Sequence, residues 1–109
     1  MTKVMIDGKE YIEVQKVGSY VLVRTYSAGV HFGILKSKDG QEVVLENSRR
    51  LWSWKGACSL SQVAMDGVDL SGSKISVPVP YITLTEAIEI IPMSTDAGKT
   101  MMEAQSWKK

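Results

Sequence analysis

A chain of 109 residues with 44% apolar and 23% charged side chains is a single folded domain with a modest core, not a disordered polymer. Thirteen basic and twelve acidic side chains leave a formal net charge of +1 (Lys+Arg 13, Asp+Glu 12). That excludes a global basic field for long duplex nucleic acid, so any nucleotide or nucleic-acid binding has to come from a local patch.

In chain order, apolar residues from Val4 to Ile6 and from Tyr11 to Val14 flank Asp7-Gly8, a dipeptide suited to a tight turn with positive φ. Residues 1–17 therefore read as an N-terminal hairpin or arm. Residues 20–54 read as a four-stranded antiparallel meander. Its strands are 20–26, rich in β-branched and aromatic residues, then 30–36 after the small corner Ser27-Ala28-Gly29, then 41–45 after Asp39-Gly40, and last 49–54 after a turn at Asn47-Ser48. Ser59 and Gln62 have capping-box spacing, and Gly67 suits a helix end, so a short helix is expected at 59–66. Residues 74–92 are extended. Pro78 and Pro80 confine the first part to an edge or irregular strand, and 81–91 reads as one long strand bulged near Glu86 and ended by Pro92. Ser94-Thr95-Asp96 caps a C-terminal helix over 95–107, which Gly98 weakens by roughly 1 kcal/mol against Ala. The expected fold class is α+β: a small antiparallel β-sheet or partly open barrel with one short internal helix and a C-terminal helix, all in one domain, 1–109.

No His/Cys/carboxylate cluster has metal-ligand spacing, and neither a phosphate-binding loop nor a dinucleotide fingerprint is present. Ala97-Gly98-Lys99-Thr100 resembles the end of such a loop but lacks its earlier glycine. The scattered carboxylates form no identifiable acid–base pair. The residues thus point away from an enzyme, a metal and a cofactor. Lone Cys58 favours a reducing compartment. No apolar run approaches the roughly 20 residues of a membrane span, and no signal peptide is visible at the amino terminus, so a cytosolic protein without a membrane partner is expected.

The chemistry concentrates in Arg49-Arg50-Leu51-Trp52-Ser53-Trp54. In an extended strand side chains alternate, so Arg50, Trp52 and Trp54 share one face. Arginine grips phosphate bidentately and aromatic rings stack on bases, which makes this a site for an anion attached to a flat ring. Arg24 and Tyr26 from the first strand of the meander, and His31 from the second, join Arg49, Arg50, Trp52 and Trp54 of the fourth as candidate ligand-binding residues. The competing reading is structural: tryptophans as core, arginines covering their edges. The free backbone amides at the start of the 59–66 helix are a further anion position, unless the capping side chains satisfy them.

Three segments together resemble a family of small tailed-bacteriophage proteins: Arg24-Thr25-Tyr26-Ser27-Ala28-Gly29-Val30-His31-Phe32-Gly33, Arg49-Arg50-Leu51-Trp52-Ser53-Trp54, and Ser59-Leu60-Ser61-Gln62-Val63-Ala64. Leu84-Thr85-Glu86-Ala87-Ile88-Glu89-Ile90-Ile91-Pro92 and Trp107-Lys108 fit it too, so the likeness runs from about Val21 onward. Most members of that family carry no assigned function. At the level of architecture the chain also resembles phage sponge proteins of the Thoeris anti-defence type, which sequester cyclic nucleotide immune signals as oligomers. That resemblance implies a homo-oligomer in the host bacterial cytoplasm, binding a cyclic ADP-ribose isomer or cyclic oligonucleotide without turnover. Two alternatives stay open: a small-barrel module for single-stranded nucleic acid or a host protein, and a structural accessory protein whose Arg/Trp strand is core.

Overall fold

The structure, a computed structural model, describes residues 3–6, 9–12 and 17–107. Strands β1 (Lys3–Ile6) and β2 (Lys9–Ile12) pair antiparallel, with Lys3 opposite Ile12. The Asp7-Gly8 turn expected between them lies outside the described residues.

The main sheet comprises β3 (Tyr20–Thr25), β4 (Val30–Asp39), β5 (Glu42–Ser53), β6 (Lys74–Ile75), β7 (Val79–Leu84) and β8 (Ala87–Pro92), paired antiparallel throughout. The strand order is β6-β5-β4-β3-β8, with β7 also on β5. The hydrogen-bonded sheet does not close. Between Asp39 and Glu42 the chain reverses at Gly40, whose φ of 58° suits the residue without a Cβ.

The expected four-stranded meander is a three-stranded one, because the segments at 41–45 and 49–54 fuse into the 12-residue β5. Asn47-Ser48 is a bulge and not a turn. Asn47 takes φ 52°, which its short polar side chain tolerates, and the β4–β5 register slips between Phe32 and Ile34. Opposite the bulge sits Gly33, where an added Cβ would lie 2.9 Å from the Glu46 carbonyl oxygen and 3.1 Å from Ser48 Cα. The missing side chain lets the bulged backbone pass. The expected single long strand over 81–91 likewise divides: β7 pairs with the first half of β5 and β8 with β3. As expected, Pro78 and Pro80 fall beside and within strands that pair on one side only.

Apolar side chains cover both faces of the sheet, which explains why Val21, Leu22 and Val23 are all fully buried. On one face Val21, Val23, Leu35, Val43 and Leu45 meet Leu84 and Ala87, brought over by β7 and β8. On the other, Leu22, Phe32, Leu51 and Ile75 pack against Val63 and Ala64 of α1 (Leu60–Asp66) and Met101 of α2 (Thr95–Met102). Both helices start as the capping residues indicate. Ser59 accepts from Gln62 N–H, the Gln62 side chain accepts from Cys58 N–H, and Gly67 ends α1 at φ 79°. Ser94 accepts from Ala97 N–H and donates to the Met65 carbonyl, tying α2 to the end of α1.

The C-terminal helix ends at Met102 instead of near residue 107. Its glycine has a packing reason: a Cβ on Gly98 would lie 2.6 Å from Tyr20 Cδ2. Gly98→Ala should therefore destabilise the protein by about 1–3 kcal/mol, although helix propensity alone favours alanine by roughly 1 kcal/mol. Urea unfolding midpoints measure the difference, and a stabilised variant would show that the Tyr20 ring yields easily.

Candidate functional site

Strand alternation sends the two adjacent arginines of β5 to opposite faces. Arg49 lies across from Phe32, itself across from Leu22, on the helix-covered face. Arg50 lies across from His31, itself across from Val23, on the other face.

Arg49 is 2% exposed, so it is a core residue and not an open binding group. Its Nε donates to the Ser76 carbonyl at 2.8 Å. Nη1 donates to the carbonyls of Met101, Met102 and Ala104 at 3.3, 3.0 and 2.7 Å, and Nη2 to Ser106 Oγ at 3.2 Å. The last carbonyls of a helix have no partner within it and carry the negative end of its dipole, which is where a buried cation is stabilised. Burial lowers the Arg49 pKa, yet a guanidinium stays charged. Two of these carbonyls, Met101 and Met102, close the last turn of α2 and the third, Ala104, lies just past it, so the guanidinium spans the helix end and the start of the tail.

Arg24 has a partner as well. It sits across from Val30 and therefore on the face opposite Arg50, and its Nη1 pairs with Glu89 of β8 at 2.9 Å. Both groups are exposed, so the pair contributes little to stability. Tyr26 lies past the end of β3 and is 79% exposed, with no aromatic neighbour among the described residues. Strand register thus keeps Arg24 off the Arg50 side, and Tyr26 makes no aromatic contact with it among the described residues.

Arg50 is the arginine left available. Its guanidinium carbon lies 3.7 Å from the centroid of the Trp52 ring. From the other direction it abuts Gly29, where a Cβ would come within 2.8 Å of Nη2. Among the described residues the guanidinium has no carboxylate partner and donates no hydrogen bond. Stacking uses the flat face of the group and leaves its in-plane N–H donors pointing sideways, ready for an anion. Trp52, half exposed at 50%, meets Trp107 at 6.2 Å between centroids and 61° between planes, and Lys74 Nζ lies 5.1 Å from the Trp107 ring. The result is a surface row: Arg50, Trp52, Trp107, Lys74.

The expected common face holds for Arg50 and Trp52 but not for Trp54. β5 ends at Ser53 after a register break against β6, and Trp54 packs, partly buried, with the helix-side core. Trp107 and Lys74 were not among the candidate residues. Lys74 reaches the row because β6 pairs with the end of β5, Lys74 opposite Ser53. Trp107 sits there with its backbone N–H donating to the Ile75 carbonyl at 2.7 Å. Neither link leaves a local pattern in the sequence.

His31 supports the row from behind. It is 5% exposed, and its Nε2 lies 2.9 Å from the Ala28 carbonyl, which can only accept, so Nε2 carries the proton. The same turn is tied by Thr25, whose hydroxyl donates to the Gly29 carbonyl at 2.8 Å and accepts from Ala28 N–H at 2.9 Å. Together these bonds fix Gly29, at φ 82°, against Arg50. Burial, and secondarily the Arg50 charge, lowers the His31 pKa, against a raising effect of the Ala28 bond. No set of three metal-ligating side chains occurs among the described residues. A shallow depression of about 230 Å³ lined by Lys38, Gly40 and residues 87–90 shares no residue with the row.

Because folding holds His31 below its ordinary value of 6.5, the unfolded chain takes up the proton first as pH falls. This contribution to stability is present above pH 6.5 and is lost as pH drops toward the lowered folded value. His31→Gln should flatten that decline in denaturant midpoints taken at stepped pH. An unchanged slope would assign the decline to carboxylates. In the same assay Arg49→Ala should cost about 3–5 kcal/mol, since it leaves a cavity and several orphaned carbonyls.

No helix of the described residues is long and apolar enough to cross a membrane. No curated protein matches the chain. Residues 18–101 match a family model described as a domain of unknown function (DUF6948), a span that runs from the turn before β3 into α2 and so takes in the whole main sheet and Arg50 with Trp52. The chain belongs to the DUF6948 family.

Proposed function

We propose that this protein binds, without transforming it, a nucleotide-type ligand at the Arg50–Trp52–Trp107–Lys74 row. One observation carries the reading: of three arginines, one is buried on carbonyls, one is paired with a carboxylate, and Arg50 stacks on an exposed ring with its guanidinium donors unoccupied among the described residues. Phosphate fits the in-plane donors of Arg50 and the ammonium of Lys74, and a base fits the exposed indole surface. Rigid placement before binding reduces the entropy lost on association.

Joined to the phage resemblance, the row supports a sponge. In that reading the protein acts in the host bacterial cytoplasm as an oligomer and sequesters a cyclic ADP-ribose isomer or cyclic oligonucleotide, which blunts an immune signal. A second reading, a short single strand laid across the row, is favoured by its openness, with Trp52 and Trp107 at 50% and 41% exposed.

Calorimetric titration with cyclic ADP-ribose isomers, cyclic dinucleotides and an oligothymidylate separates these. The sponge reading predicts tight binding of one cyclic ligand with recovery of the ligand unchanged, weakened roughly 10- to 100-fold by Arg50→Ala or Trp52→Ala in variants that keep their circular dichroism. Steeply salt-dependent binding of the oligonucleotide alone would select the strand reading. Silence across the panel would reject both.

A further inference from the structure

Strand register accounts for Arg50 beside Trp52, but it does not bring Trp107 there. The tail after α2 does, and one side chain holds that tail at two points and the last turn of α2 at two more. Arg49 takes the carbonyls of Met101, Met102 and Ala104 and the hydroxyl of Ser106, while its Nε holds the Ser76 carbonyl just beyond β6. Past Ala104 the tail makes a single backbone hydrogen bond among the described residues, from Trp107 N–H to Ile75. A free tail loses backbone entropy on being held, and several charge-assisted bonds from one buried cation are the contacts available to offset that loss. Residues 102–107 also lie beyond the span matched by the family, so the second ring of the row comes from outside it.

We infer that Arg49 is a positioning residue for the ligand surface: by anchoring the carbonyls of 101–104 and Ser106 it delivers Trp107 to Trp52 and Lys74. Adjacent arginines thus act on one site from two faces of β5, Arg50 by presenting its donors and Arg49 by placing a ring. The consequence for affinity rests on the proposed nucleotide reading; the placement of Trp107 does not.

Two indoles at 6.2 Å and 61° couple their transitions and give an exciton couplet in far-ultraviolet circular dichroism, which serves as a ligand-free readout. The couplet should be present in the wild type and absent in Trp107→Ala. It should also be lost in Arg49→Lys, which keeps the charge but not the fork of donors. A Gly-Gly insertion between Ala104 and Gln105 leaves the Arg49 contacts to 101, 102 and 104 in place while uncoupling Trp107. It should lose the couplet at an almost unchanged melting temperature, and bind the tightest cyclic ligand of the titration panel roughly tenfold more weakly. A couplet that survives in folded Arg49→Lys, or in the insertion variant, overturns the inference. Should Arg49→Lys fail to fold, the insertion variant decides. A wild type that binds none of the panel rejects the nucleotide reading, and the couplet still decides the placement.

Discussion

A charged guanidinium buried against the carbonyl end of a helix is the contact on which most of this molecule turns. Arg49 projects from β5, crosses the helix-side core and satisfies acceptors on α2, on the tail and on the segment after β6. Its burial is tolerable because nearly every donor has a partner and the helix dipole favours positive charge there. One residue along, strand alternation sends Arg50 to the other face, where Gly29 and Trp52 hold it flat. Same chemistry, opposite faces, different roles: the core takes one arginine and the surface is left the other.

The support around Arg50 is local and economical in parts. Thr25 and His31 tie the turn that carries Gly29, and Gly29 has no Cβ to push the guanidinium off the indole. The segment from Arg24 to Gly33 therefore reads as scaffold for Arg50 more than as a set of ligand groups. Gly33 serves the fold in a similar way, letting the β5 bulge pass and so setting the register that places Arg50 opposite His31.

Much of the fold was legible from short-range signals. The Ser59/Gln62 cap, Gly67, Asp39-Gly40 and the two prolines each act within a few residues, and each marks the feature it suggested. Asn47-Ser48 misled, because a residue that tolerates positive φ serves a bulge as readily as a turn, and only the partner strand decides which. The division at Thr85-Glu86 falls where a bulge near Glu86 was expected, but the change of partner that comes with it, from β5 to β3, has no local signal. In the site, alternation correctly joined Arg50 with Trp52 but could not show that the strand stops before Trp54. Arg49 and Arg50 are indistinguishable in sequence, and their fates depend on a helix end some fifty residues away. Trp107 and Lys74 were beyond reach because tail docking and the two-residue β6 have no periodicity to read.

The division of labour among the arginines is open to side-chain nuclear magnetic resonance. The Nε–H signals of Arg24, Arg49 and Arg50 and the indole N–H signals of Trp52 and Trp107 would be followed for solvent exchange and then during addition of the cyclic ligands. The structure predicts slow exchange at Arg49 and fast exchange at Arg24 and Arg50; the proposed function adds ligand-induced shifts at Arg50 and the two indoles while Arg24 and Arg49 stay still. Rapid exchange at Arg49, or shifts centred on Arg24 and Tyr26 with Arg50 silent, would contradict it.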